Sequence, residues 1–371
     1  MTSAVGRSAA ARRGRRAGAL ALAAAALFAG VAGCSDGGGK DDGGKNAPAR
    51  ASASESAAAA PEGGSDDLQS AYRKVVRDVL PSVVQITTSD GLGSGVVYDD
   101  KGHIVTNAHV VGSATAFQVT LATGSQPLTA KLVGTYPPND VAVIKLDSPP
   151  DGLKPAQWGE SAALEVGTIV LAMGNPLGLS GSVSQGIVSA LNRTQSEAGD
   201  RNTPGATIPN LIQTTAAINP GNSGGALVDL TGKVVGIPTL AAATGTDSLA
   251  PGIGFAIPSD TAKNLADQMI KDGKVTDSDR AALGITATTV VGRQGAPAGV
   301  GVVQVDPNGA AAKAGIKAGD VITSVNGTET TSQAALSEVL AGLKPGDQAK
   351  VAVTRSDGST ATVDVTLGEL A

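Results

Sequence analysis

A serine hydroxyl is a poor nucleophile unless a base takes its proton and hydrogen-bond donors receive the oxyanion it creates. Ser223 stands in Gly221-Asn222-Ser223-Gly224-Gly225. The glycines allow the tight, positive-φ turns that leave main-chain N–H groups open to a reacting carbonyl. The chain has two histidines, His103 and His109, both within residues 102–111, so an imidazole base must come from that segment. The third group would be a carboxylate that orients the imidazole. Asp140 follows the turn Tyr136-Pro137-Pro138-Asn139 and opens the apolar run Val141–Leu146, where a carboxylate would be poorly hydrated. Asp99, Asp100, Asp147 and Asp151 lie in more polar turns and read as solvated loop charges. These residues together point to acyl transfer. The pentapeptide by itself also fits an ordinary surface turn, and spacing by itself leaves Asp140 one aspartate among several.

Other chemistries find less support. Two histidines and one cysteine, Cys34, are too few for a zinc site, and no metal or other cofactor is expected. Gly39 to Lys45 spells G-x-x-x-x-G-K, yet Asn46 replaces the required Ser or Thr and no strand or helix flanks it. Phosphate binding there is rejected. A net charge of -5 offers no broad basic surface, so nucleic acid is not expected as a partner.

The elements that must position these residues read as strands. With aromatics at 2% and 50 glycines, the core has to be built from Val, Ile, Leu and Ala. Short β-branched runs such as Val83–Ile86, Val141–Ile144, Thr168–Leu171 and Val234–Ile237 recur between turn clusters. Residues 67–270 therefore read as mainly β, a sandwich or barrels without long helices. The histidines fall at a strand end in the first half and the serine in the second, so a shared site would lie in the cleft between two barrels.

Arg12, Arg13, Arg15 and Arg16 precede an apolar stretch from Ala17 to Ala32, at whose end sits Val31-Ala32-Gly33-Cys34. Residues 1–34 read as an export signal whose end resembles a bacterial lipoprotein box, with Cys34 as the lipidated residue. An uncleaved membrane helix or a secreted protein are the alternatives. Residues 35–66, almost free of apolar side chains, read as a flexible tether reaching about 30 Å. The expected location is extracytoplasmic, attached to the cell membrane.

Three ordered blocks, residues 106–111 around His109, 139–146 around Asp140 and 221–227 around Ser223, resemble the catalytic blocks of HtrA-type (DegP-like) serine proteases. Residues 91–95, 174–178 and 252–258 add supporting matches. The resemblance implies a trypsin-like double β-barrel protease domain followed by a small α+β PDZ domain. It also implies His109 as base and acid, Asp140 as its orienter, Ser223 as nucleophile, and the N–H groups of Gly221 and Ser223 as the oxyanion hole. It further implies a homotrimer that hydrolyses unfolded or misfolded proteins without ATP. His103 lies outside the blocks and is expected to be a strand-edge residue. Two departures stand out: Thr215 where the family usually has Asp, and Pro238 where it usually has Asn. The segments 191–210 and 241–251 read as long regulatory loops.

From about residue 280 to 371 the chain resembles a PDZ domain. Arg280-Ala281-Ala282-Leu283-Gly284-Ile285 is similar to the loop that receives a peptide's terminal carboxylate, which places Leu283, Gly284 and Ile285 at a site for peptide C-termini. Leu336, Val339, Leu340 and Leu343 recur at helical spacing after Thr331-Ser332 and predict a capped helix. A non-proteolytic chaperone or peptide-sensing scaffold is the alternative function.

Overall fold

The structure, a computed structural model, describes residues 64–370 apart from 90, 123, 125, 176–180, 198–205, 220, 244–248 and 293–294. Cys34, the segment 1–34 read as an export signal, and the Gly39–Lys45 segment lie outside the described residues.

Helix α1 (Gly64–Val79) is followed by β1 (Val83–Thr87), β2 (Leu92–Val97), β3 (His103–Thr106), the short helix α2 (Ala108–Val111), β4 (Ala116–Leu121), β5 (Leu128–Tyr136) and β6 (Val141–Leu146). These six strands close a barrel in the order β1-β2-β3-β6-β5-β4. A second closed barrel follows, β10-β11-β12-β9-β8-β7, from β7 (Ile169–Gly174), β8 (Ser182–Glu197), β9 (Ala206–Thr214), β10 (Ala226–Asp229), β11 (Val234–Ala243) and β12 (Leu249–Pro258). Helix α3 (Ser259–Asp272) closes this part of the chain.

Two-residue periodicity explains why these strands read as continuous apolar runs. In β6, Ala142, Ile144 and Leu146 fill the first barrel, while Val141 and Val143 face a core shared with the second. In β7, Val170 and Ala172 fill the second barrel, while Leu171 and Met173 meet that same shared core. Apart from the exposed Lys145 near the end of β6, both faces of each strand are buried or partly buried, so the polar half of the usual alternation is nearly missing. The shared core fixes one barrel on the other, and with it the cleft between them.

The reading of residues 67–270 as free of long helices is corrected, because α1 and α3 pack on that shared core. Val75 and Val79 bury one stripe of α1, and Ala262, Leu265, Ala266 and Met269 bury one stripe of α3 at i, i+3, i+4 and i+7. Helix α1 also begins inside the segment read as tether. The expected loops at 191–210 and 241–251 are corrected for their described parts, which extend the β8–β9 and β11–β12 strand pairs. Among the described residues, no helix is long and apolar enough to cross a membrane.

The C-terminal module contains β13 (Ala281–Ala282), β14 (Ile285–Val291), β15 (Pro297–Val305), α4 (Ala310–Lys313), β16 (Val321–Val325), β17 (Thr328–Glu329), α5 (Gln333–Ala341), β18 (Gln348–Thr354), β19 (Thr360–Thr366) and β20 (Gly368–Glu369). Its sheet runs β14-β15-β16-β18-β19, with β17 on β16 and a separate β13–β20 pair. The expected helix cap is present, as Ser332 Oγ accepts from Ala335 N at 3.2 Å. Leu336 is buried, with Val339, Leu340 and Leu343 packed on the same core.

Candidate active site

His109 sits on α2, one turn past the end of β3. Its ring Nδ1 lies 2.8 Å from Asp140 Oδ2, and its main-chain N–H donates to Asp140 Oδ1 at 2.9 Å. Asp140 is 3% exposed and holds a left-handed conformation at φ 52, ψ 41, just after the tight turn of Pro137–Asn139. Asn107 Nδ2 donates to the Asp140 carbonyl at 3.0 Å. Because the carboxylate accepts at Nδ1, it fixes the tautomer that leaves the Nε2 lone pair available to take a proton.

The serine arrives from the second barrel. Gly221 has φ 104 and Gly224 φ 78. A Cβ on Gly224 would lie 2.3 Å from the Ser94 carbonyl oxygen and 3.2 Å from Asn107 N, so only glycine allows this approach to the end of β3. Ser223 O accepts from Ser94 N at 2.9 Å, and Gly224 N donates to Pro238 O at 2.9 Å. Asn222 braces the loop from within, accepting from Asn219 N at 3.0 Å and donating to Ala217 O at 3.1 Å. Among the described residues, the N–H groups of Gly221 and Ser223 donate no hydrogen bond to the chain, so both stay open beside the Ser223 hydroxyl.

Thr239 joins the two halves. Its carbonyl accepts the Ser223 hydroxyl at 3.3 Å, and its own hydroxyl donates to Asp140 Oδ2. A chain of polar contacts thus runs from Ser223 through Thr239 and Asp140 to His109. Thr239 escaped sequence reasoning, as did Ser94, whose hydroxyl donates to Gly221 O at 2.5 Å and accepts from Asn175 N at 2.8 Å. The Thr239 hydroxyl holds the carboxylate oxygen that also meets the His109 ring. Thr239→Val is expected to lower kcat/KM about ten- to hundredfold with little loss of folded protein. Steady-state kinetics beside a thermal melt checks this.

The two departures are accommodated. Thr215 Oγ1 accepts from Ile187 N at 3.0 Å, so a neutral acceptor ties β8 to the segment that leads to Ser223. Pro238 contributes its carbonyl to Gly224 N and has no N–H to leave unpaired.

His103 opens β3 and is buried, with Nδ1 2.7 Å from Asp99 Oδ2 and its N–H 3.0 Å from Asp99 Oδ1. The reading of Asp99 as a solvated loop charge is therefore corrected. Burial raises the Asp99 carboxyl, but the hydrogen bonds from His103 and Lys101 outweigh it and hold the group below its ordinary value. A depressed carboxyl adds stability above a pH of about 4 that is lost as pH falls through the lower folded value. Acid unfolding of Asp99→Asn is expected to lose that part of its pH dependence, which denaturant midpoints at pH 7 and pH 3 would measure. Among the described residues, no three His, Cys, Asp or Glu side chains cluster as metal ligands would.

In the C-terminal module a groove of about 640 Å³ is lined by Leu283, Gly284, Ile285, Leu336 and Leu340. The Leu283 carbonyl accepts from Ala311 N at 2.8 Å and the Gly284 carbonyl from Asp306 N at 2.9 Å. In a planar trans peptide the next N–H points the opposite way, so the N–H groups of Gly284 and Ile285 are aimed away from these partners. This orientation suits a carboxylate in the groove.

Residues 93–237 match the trypsin-like peptidase domain family and residues 276–367 the PDZ domain family. Serine protease PepD of Mycobacterium tuberculosis is 40% identical over 382 residues, covering 96% of this chain and 79% of its own length. The chain belongs to the HtrA-type serine protease family. Periplasmic serine endoprotease DegP of Escherichia coli is 43% identical over 280 residues, spanning 74% of this chain and 56% of DegP. A solved HtrA-type protease, AlgW with a tripeptide, superposes with a TM-score of 0.54 at 33% identity over 81% of this chain and 97% of its own. The HtrA-type assignment covers both barrels and the C-terminal module.

Proposed function

We propose that the chain is a serine endopeptidase that hydrolyses unfolded or misfolded proteins outside the cytoplasm without ATP. The observation that carries this reading is the run of contacts from Ser223 through Thr239 and Asp140 to His109. In the proposed cycle His109 Nε2 takes the Ser223 proton as Oγ attacks the substrate carbonyl. The oxyanion is received by the N–H groups of Gly221 and Ser223, worth about 3–4 kcal/mol per donor in comparable sites. The intermediate collapses to an acyl-enzyme as His109 returns its proton to the leaving amine. Water, deprotonated by His109, then releases the acid and restores Ser223.

The groove at Leu283, Gly284 and Ile285 is proposed to take peptide C-termini, with the ligand extending the module's sheet edge. AlgW was solved with a tripeptide, which supports a peptide ligand. An extracytoplasmic location is favoured by the relative named a periplasmic endoprotease and by the arginines and apolar stretch of residues 12–32, which fit an export signal. A lipidated Cys34 as membrane anchor and a homotrimer complete the proposal.

Purified protein is expected to degrade a reduced, permanently unfolded protein with no nucleotide added and to spare the same protein when native. Absence of cleavage by wild type, together with equal stress protection by wild type and Ser223→Ala, would replace the endopeptidase with a chaperone or sensing scaffold.

A further inference from the structure

Among the described residues, Arg280 is a buried cation without an acidic partner. It is 9% exposed, its Nε has no hydrogen-bond acceptor, and no Asp or Glu side chain pairs with its guanidinium among the described residues. The nearby Glu369 carboxylate is occupied by Ser278 N at 2.7 Å and Ser278 Oγ at 2.7 Å, and meets only the main-chain N–H of Arg280, at 3.4 Å. Burying a guanidinium in this way is costly and needs compensation. The side chain spends its Nη1 on the first barrel, donating to the Pro138 carbonyl and, at 3.3 Å, to Asn139 Oδ1. These are the two residues before Asp140.

The same turn is held at its other end. Tyr136 Oη donates to Leu370 O at 2.7 Å, and Leu370 N donates to Arg280 O at 2.8 Å. The segment Tyr136–Asn139 is therefore gripped from both sides by the C-terminal module, and Pro209 and Asn210 of the second barrel line a small cavity beside it. Asp140 then leaves the turn with a positive φ, which a non-glycine residue keeps only where its surroundings enforce it. From that conformation its carboxylate reaches the His109 ring, the His109 N–H and the Thr239 hydroxyl together.

We propose that Arg280 is a positioning residue for Asp140: by holding the Pro138 carbonyl and the Asn139 side chain, it fixes the turn from which the carboxylate orients His109. This rests on the reading of Ser223, His109 and Asp140 as the reacting set. The consequence is that the C-terminal module completes the catalytic geometry through a buried side chain three residues before Leu283.

The test compares wild type with Arg280→Met, Arg280→Lys and Tyr136→Phe, on full-length protein. A chromogenic tripeptide too short to span both modules reports kcat and KM. Spectra of 15N-histidine-labelled protein report the Nδ1–H signals of His103 and His109 separately. Because misplacement of a catalytic group by about 1 Å costs about a hundredfold, Arg280→Met is expected to lose about 10- to 100-fold in kcat with KM nearly unchanged. It should shift the His109 signal and leave that of His103 in place. Arg280→Lys, which restores one donor, should recover much of the loss, and Tyr136→Phe should lose less than Arg280→Met. A folded Arg280→Met with wild-type kcat and an unmoved His109 signal would overturn the proposal. If Arg280→Met does not fold, unchanged kcat and unchanged His109 signals in both milder variants would overturn it instead. If wild type itself hydrolyses nothing, the reading of the reacting set fails, while the His109 signal still decides whether Arg280 holds the turn.

Discussion

Ser223→Ala is expected to lower kcat by about 10⁴- to 10⁶-fold, the range seen when the nucleophile of such a set is removed. The effect should be confined to chemistry. Among the described residues the Ser223 hydroxyl makes one hydrogen bond, at 3.3 Å to Thr239 O, so its removal takes only one long donor from that carbonyl. Its main-chain carbonyl, which accepts from Ser94 N, is untouched by the substitution. Thermal stability and peptide binding in the groove at Leu283 should therefore match wild type, as a melt and a fluorescence titration would report. A large fall in stability would mean that the serine serves packing rather than catalysis.

Asp140→Asn is expected to cost about 10⁴-fold in kcat, for a different reason. All three groups on the carboxylate are donors: the His109 N–H, the His109 Nδ1–H and the Thr239 hydroxyl. An amide places a donor of its own against them. If its NH₂ faces the ring, His109 must accept at Nδ1 and carry its proton on Nε2, where it can no longer take the Ser223 proton. If it faces the His109 N–H, two donors meet in a buried site. Either way Asn is near in shape and wrong in chemistry, so kcat should fall while KM stays close to wild type. Combining Asp140→Asn with Thr239→Val should cost little more than Asp140→Asn alone, because both act on one carboxylate.

Much of this was legible in the amino-acid order, and what was not has a physical cause. The barrels could be read because strands buried on both faces leave long apolar runs such as Val141–Ile144. Glycines around Ser223, a histidine count of two and a carboxylate opening an apolar strand narrowed the candidates locally, while the choice of His109 over His103, and of Asp140 among several aspartates, rested on the resemblance to the HtrA-type blocks. Thr239 could not be read, since a threonine in β11 is ordinary until a carboxylate 99 residues away is brought to it. Ser94 was hidden in the same way, its partner Gly221 lying 127 residues further on. Asp99 misled because its turn is polar, and only the fold shows His103 covering it. Helices α1 and α3 escaped notice because their exposed faces are rich in Asp, Lys, Arg and Gln, which conceals a narrow apolar stripe.

The most direct test of the central claim is covalent labelling of the full-length protein with a fluorophosphonate, followed by mass mapping of the adduct. A single adduct on Ser223 is expected in wild type, formed far more slowly in His109→Ala. Folded wild-type protein that carries no adduct on Ser223, or labels equally fast without the imidazole, would contradict that claim.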